Sequence, residues 1–321
     1  MCATKGDINI ALRFRSTTFM SFCTFFIHEP NPLIIQEPFM SKVAIVTDSS
    51  AYIPQELIEK YQISIVPLVV IWGEETYSDG VDISPEEFYT RLANTDVMPS
   101  TSQPTIPLFK EVFQNLHEQG YEILAVLISD KLSGTISSAT QARKLLPEAS
   151  IEIVDSESIA MALGFQVLAA ARAAQNGALL AECKQIAENA QDRTGVIFVL
   201  DTLEFLHRGG RIGGAKRFLG TMLNMKPVLA IETGQVVSID QVRTQKKALA
   251  RLIDIVEERA RGHSKIHLAT IHANNHKIAE SILKEAQGRF NTVETAFSEL
   301  SPAIGTHTGP GAVGLAYWFE E

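Results

Sequence analysis

The sequence predicts an α/β fold built as two domains. Three observations carry that reading. From Val43 onward short β-rich runs alternate with helical patterns, the order that crossover connections between parallel strands require. The chain has 321 residues, enough for two domains. Its 45% hydrophobic and 20% charged residues are the composition of an ordered chain.

Each element follows from its own residues. "VAIVTDSS" reads as a strand running into a turn. In "ISPEEFYTRL", Ser84 is a candidate N-cap, Pro85 occupies the first helical position and Glu87 lies three residues on, which together start a helix. "PTIPLFKEVFQNLHEQG" is an amphipathic helix stopped by Gly120, "YEILAVLIS" a buried strand, "SGTISSATQARKLL" a helix and "IEIVDS" another strand. "SIAMALGFQVLAAARAAQNG" is apolar around most of its circumference and predicts a buried helix ending near Gly177, facing core, ligand or both. A helix over Leu179–Gln191 follows.

"TGVIFVLDT" opens the second domain, so the expected division is 40–192 and 193–321. There "KPVLAIETGQVVSIDQV" is a strand pair turning at Thr233-Gly234, followed by a helix from Thr244, the strand "KIHLATIHA", a helix through Lys284 and a last strand from Thr292. Residues 1–39 mix Arg13 and Arg15 with a Phe-rich segment. They can be taken for a poor secretory signal, but the reading adopted is an extension, either disordered or mis-started upstream of Met40.

The totals exclude several classes. A net charge of −9 argues against a nucleic-acid binder, whose affinity rests on a broad surplus of Lys and Arg. Cys2, Cys23 and Cys183 are too few and too scattered for a disulfide framework or a zinc site, which fits a reducing, cytoplasmic setting. The run "TFMSFCTFFI", at about ten residues, is half the length that spans a bilayer.

Four polar clusters stand out, each with a plain alternative. "PSTSQP" places Ser100, Thr101 and Ser102 on an extended loop between prolines, or is ordinary turn chemistry. "SGTISSA" gathers hydroxyls and amide N–H groups at a helix N-terminus, where an anion is favoured, or is plain capping by Ser133. "RGGRIGG" carries Arg208 and Arg211 in a stretch whose glycines preclude a long helix, and its alternative is a solvated surface loop. "THTGPGAVG" sets His307 beside Gly309 and Gly311, which allow close backbone approach or positive φ. A lone histidine is more often structural than functional.

Together, "VTDSS", "PSTSQP", "SGTISSA", "RGGRIGG" and "THTGPGAVG", in this order and spacing, resemble the DegV family of bacterial fatty-acid-binding proteins, from Met40 to the C-terminus. The resemblance implies an N-terminal and a C-terminal α/β domain with a lipid tunnel between them that holds one long-chain fatty acid. It implies a carrier without turnover of its own and without cofactor or metal. Such a carrier presents the carboxylate to a separate fatty acid kinase and takes the acyl-phosphate to an acyltransferase of phospholipid synthesis, touching the membrane only transiently.

By motif, Thr101 and Ser133 would bond the carboxyl group, with Ser102, Gly134, Thr135 and His307 around it. Arg208 or Arg211 would belong to the head-group network and entrance, and Arg243 to the docking edge for the kinase. The family motif usually carries Arg where this chain has Gln245, which slightly reduces the charge at that docking edge. Two other readings compete. Ser133 as nucleophile with His307 as base would make a lipid hydrolase, although "SGT" lacks the G-x-S-x-G elbow. A phosphotransfer protein of related fold would use His307 for covalent capture.

Overall fold

The computed structural model describes residues 42–220 and 225–320, so the reading of residues 1–39 lies outside the described residues. Strand β1 (Lys42–Asp48) is buried from Ala44 onward, as a strand covered on both faces must be. A 3-10 turn and helix α1 (Gln55–Tyr61) return the chain to strand β2 (Ser64–Val66), parallel to β1. Strands β3 (Val69–Trp72) and β4 (Glu75–Ser78) form a hairpin. Helix α2 (Pro85–Leu92) starts as its sequence predicts, with the Ser84 hydroxyl accepting from the Glu87 N–H at 3.2 Å. Strand β5 (Ser100–Ser102) then pairs antiparallel with β3.

Helix α3 (Ile106–Glu118), strand β6 (Tyr121–Leu127), helix α4 (Thr135–Lys144) and strand β7 (Ile151–Asp155) complete a parallel sheet of order β2-β1-β6-β7. Helices α5 (Ala160–Gln175) and α6 (Leu180–Gln191) lead to strand β8 (Thr194–Val199) and the short helix α7 (Glu204–Arg208). The hairpin β9 (Lys226–Glu232) and β10 (Gln235–Val242) turns at Thr233-Gly234 with φ of +45° and +78°, the left-handed pair that a two-residue hairpin loop favours. Helix α8 (Gln245–Arg259), capped by Thr244, strand β11 (Lys265–His272), helix α9 (His276–Arg289) and strand β12 (Thr292–Glu299) follow. Helix α10 (Pro302–Thr308) and strand β13 (Val313–Glu320) close the chain's described part.

Two expectations differ from what is found. The last strand is β13 rather than β12, and it lies inside the six-stranded sheet of order β10-β9-β8-β13-β11-β12. Its burial on both faces removes the alternation that would mark it, and the Gly-rich run before it reads as loop. The hydroxyls of "PSTSQP" stand on the short strand β5 rather than on a loop.

Helix α5 explains the layering. All of Ala160–Ala171 is buried, and the helix packs on β1 and β6 of one sheet and on β8 and β13 of the other. Along β8 the side chains alternate with the strand's period of two. Val196 and Phe198 join the cluster around α5, whereas Ile197 and Val199 join Leu252 and Val256 of α8 on the far side. Helices α3 and α4 cover the outer face of the parallel sheet through Phe109, Phe113, Ala139 and Ala142. The β9–β10 turn reaches across to the loop after β6, where Ser129 Oγ donates to the Gly234 carbonyl at 2.9 Å and Lys131 Nζ to that of Thr233 at 2.6 Å.

Candidate functional site

A cavity lies between the first residues of α5, the inner face of the six-stranded sheet and α10. Its apolar wall comes from alternate residues of neighbouring strands, among them Val196 and Phe198 of β8, Ile231 of β9 and Ile271 of β11. In register between Phe198 and Ile271 stands Gly314 of β13, which leaves the floor without a side chain at that point. The polar lining comprises Thr101, Ser102, Gln103, Ser133, Arg211, His307 and Thr308. Gln103 is exposed, so the rim of the cavity lies at this polar end.

Two segments far apart in the chain meet at this polar end. Thr101, held on β5 by pairing with Val70, places its Oγ1 2.7 Å from Nε2 of His307 on the last turn of α10. The other ring nitrogen, Nδ1, is buried and has no hydrogen-bond partner among the described residues. Burial, with the nearby Arg211 guanidinium second, lowers the His307 pKa to about 4, so the imidazole is neutral near neutral pH. Gly209 explains how the ring fits: a Cβ there would collide with Nδ1 and Cε1 of His307. Gly309 and Gly311, at φ of +70° and +85°, turn the chain after α10 and approach Phe205 and Asp201 of the protein itself.

Ser133 does not cap α4. The N-cap is Gly134, without a side-chain bond, and the Ser133 hydroxyl lies 2.8 Å from Thr135 Oγ1. Half-buried Ser133 lines the cavity, while Gly134 and buried Thr135 stand behind it, with Gly134 against the Gln103 side chain. The alternative of plain capping by Ser133 is therefore not what is found: Gly134 begins the helix and the Ser133 hydroxyl turns to Thr135.

The three arginines separate. Arg211 is half-buried and lines the cavity. Its Nε donates to the Leu132 carbonyl at 3.1 Å and its Nη1 to that of Gly209 at 2.7 Å, and it has no carboxylate partner among the described residues. Arg208 is exposed and paired with Glu204 at 2.7 Å, away from the cavity lining. Arg243 is exposed just before α8, with no hydrogen bond or ion pair among the described residues. Gln245 donates to Asp201 Oδ1 at 3.3 Å.

Sequence reasoning passed over Gln103 and Thr308, which the motifs contain, and the buried Asp79 and Ser301 with the half-buried Tyr52, whose contacts span more than two hundred residues of sequence in two cases. Among the described residues no group of three or more His, Cys, Asp or Glu is placed to hold a metal, and no helix is long and apolar enough to cross a membrane.

The fold and cavity define an α/β protein built around an internal, largely apolar cavity. The chain belongs to the DegV family: the model of the family described as "Uncharacterised protein, DegV family" matches residues 42–320. It is 36% identical over 283 residues to a DegV domain-containing protein of Halalkalibacterium halodurans, covering 88% of this chain and 100% of that one. It is 34% identical over 280 residues to Protein DegV of Bacillus subtilis, covering 87% and 99%. Among solved structures it resembles a DegV family protein from Thermus thermophilus described for fatty acid binding, with TM-score 0.83 and 32% identity over 87% of this chain and 100% of that one. It also resembles DegV, a fatty acid binding protein from Bacillus subtilis, with TM-score 0.80 and 33% identity over 87% and 100%.

Proposed function

We propose that this protein binds one long-chain fatty acid in the cavity, presents its carboxylate to a separate fatty acid kinase and carries the acyl-phosphate toward an acyltransferase of phospholipid synthesis. The observation that carries the reading is the Thr101–His307 contact beside Arg211 at the polar rim of an otherwise apolar cavity. A neutral His307 whose Nε2–H donates to Thr101 Oγ1 leaves the Thr101 proton for a carboxylate oxygen. The Ser133 hydroxyl is a second donor, and Arg211 supplies positive charge that no carboxylate of the described protein neutralises. Ser102, Gly134 and Thr135 shape the same corner. The fatty acid binding of the Thermus and Bacillus relatives supports the assignment.

The energetics divide the labour. About fifteen buried methylenes at roughly 0.8 kcal/mol each give on the order of 12 kcal/mol before entropic costs, against about 1–3 kcal/mol for each hydrogen bond to a charged head. The tail holds the lipid and the head contacts orient it.

The site favours a carrier over the two enzymatic readings. The Ser133 hydroxyl pairs with Thr135 and His307 Nε2 with Thr101, so neither contact is a serine–histidine pair, and among the described residues no carboxylate orients Nδ1. Covalent capture on His307 is disfavoured because Nε2 is engaged and Nδ1 lies against Gly209. Exposed Arg208 and Arg243 are assigned to the kinase and Arg211 to the lipid head. The test is native mass spectrometry of the purified protein with an acyl-phosphate assay in the presence of kinase and ATP. Noncovalent fatty acid and a loss of phosphorylation in Arg243→Ala at unchanged occupancy are expected. A protein that takes up no fatty acid, or one carrying a stable histidine adduct, overturns the reading.

A further inference from the structure

Asp79, just after β4, is 2% exposed and belongs to none of the groups placed at the cavity. Its carboxylate accepts three hydrogen bonds. Oδ2 takes Ser49 Oγ at 2.6 Å and Ser301 Oγ at 2.7 Å, and Oδ1 takes the Ala303 N–H at 2.9 Å. Ser49 Oγ accepts in turn from the Leu68 N–H at 3.0 Å, and the Asp79 N–H donates to the Leu68 carbonyl at 2.8 Å. Tyr52 joins through its hydroxyl, which accepts the Ser301 N–H at 3.0 Å and lies 2.8 Å from Ser301 Oγ. Because Ser301 gives its hydroxyl proton to Asp79, Tyr52 is the donor in that last pair. With Asp79 ionised, the state its three donors favour while burial raises its pKa, every proton in the network has one direction.

What this carboxylate grips matters for the cavity. Leu68 and Ala303 both line it. Ala303 lies in the first turn of α10, whose last turn presents His307 to Thr101. That helix has only seven residues and no side-chain cap of its own, because the hydroxyl of its N-cap residue, Ser301, is turned to Asp79. Its placement therefore depends on what holds it from outside. A buried carboxylate is a costly way to add stability alone, since apolar replacements of buried ionic groups are often neutral or better. What a fully satisfied one adds is a fixed direction.

We propose that Asp79 is a positioning residue for the polar end of the cavity: by fastening the first turn of α10 to the Ser49–Leu68 segment it sets where His307, and through it the Thr101 hydroxyl, stands toward a ligand's head. The inference rests on the fatty-acid reading of the cavity. Asp79→Asn keeps the shape and removes the all-acceptor carboxylate. Ser301→Ala removes one of its donors and serves as the second variant if Asp79→Asn fails to fold.

The test measures the affinities of a sixteen-carbon fatty acid and of the alcohol of equal length by competition against a fluorescent fatty acid. The expected result is that the preference for acid over alcohol falls about five- to tenfold in Asp79→Asn and about threefold in Ser301→Ala, the scale of one hydrogen bond to a charged head, with alcohol affinity kept within about twofold. Equal weakening of both ligands, or an unchanged preference, overturns the proposal. Imidazole nitrogen shifts of His307 in ligand-free protein give a readout independent of lipid. Burial holds the wild-type pKa down at about 4, and in the variants it is expected to move toward the ordinary histidine range. An unmoved titration overturns the proposal. A wild-type protein that binds neither ligand refutes the fatty-acid reading while leaving the His307 measurement to decide the positioning role.

Discussion

The Thr101 hydroxyl and the His307 imidazole meet at 2.7 Å although 206 residues separate them in sequence. The pair joins β5, an element of the small antiparallel sheet, to α10 at the C-terminal end of the chain, and it does so on the wall of the cavity. A contact of this kind orients a ligand that other forces retain. Thr101→Ala and Ser133→Ala are expected to weaken fatty-acid binding about five- to tenfold and still to co-purify with lipid, because each removes one hydrogen bond and none of the tail contacts. Acyl-phosphate formation with the kinase should fall further, by about a hundredfold, since a displaced carboxylate reacts poorly with a phosphate held by another protein. Occupancy by native mass spectrometry beside acyl-phosphate yield measures both; empty variants would show that the head governs affinity.

Gly209 tests the same ring from its other side. A methyl group at that position meets Nδ1 and Cε1 of His307, so Gly209→Ala must displace the imidazole. The variant should match His307→Ala in acyl-phosphate yield while its tail affinity stays within about threefold of wild type. A fully active Gly209→Ala would mean that the ring's position is immaterial to the head.

The pH dependence of stability has a defined sign. His307 and His272 both have folded pKa values lowered to about 4, chiefly by burial, from an ordinary value of 6.5. Above pH 6.5 both are neutral whether folded or not, and their full contribution is present. Between pH 6.5 and 4 the unfolded chain binds protons that the folded chain does not, so stability declines as pH falls through that window, by up to about 1.4 kcal/mol per pH unit for each group. Urea unfolding at several values from pH 7 to 4.5 should show this decline, and His307→Asn should reduce its slope by about 1 kcal/mol per pH unit. An unchanged slope would place the ring in contact with water.

Under the proposed function, Gly314 sets the room for the tail. A Cβ there would come within 2.8 Å of Ile271 Cγ1 and 3.1 Å of Phe198 Cβ, both on the cavity wall. Gly314→Ala should push those side chains inward and shift the preference toward acyl chains shorter by about two to four carbons, at about 0.8 kcal/mol for each methylene excluded. A chain-length series measured by competition checks it, and an unshifted series would mean that the tail runs elsewhere.

What could be read from the sequence divides by the distance over which the signal acts. The start of α2 at Ser84 and Pro85, the Thr233-Gly234 turn and the all-round apolar α5 were legible because neighbouring residues determine them. The three- and four-residue strands β2 to β5 are too short for a period to show. β13 escaped because it is buried on both faces behind glycines. For the site, the motifs named Thr101, Ser133, Arg211 and His307, which the fold brings to one cavity, and also Arg208 and Arg243, which it leaves in solvent. Asp79 gave no local sign, since its partners Ser301 and Ala303 stand 222 and 224 residues away and only the tertiary fold delivers them.

Helix α5 has one consequence of a mechanical kind. Its buried length, Ala160–Ala171, supplies interior to both sheets at once, so neither sheet owns a complete core. Pulling one sheet from the other would leave a stripped apolar helix face on whichever side kept it, and the resistance to that exposure makes the paired sheets behave as one stiff shell. A ligand between them would thus be enclosed by walls tied to one another at the β9–β10 turn and at α10, rather than by halves that swing apart.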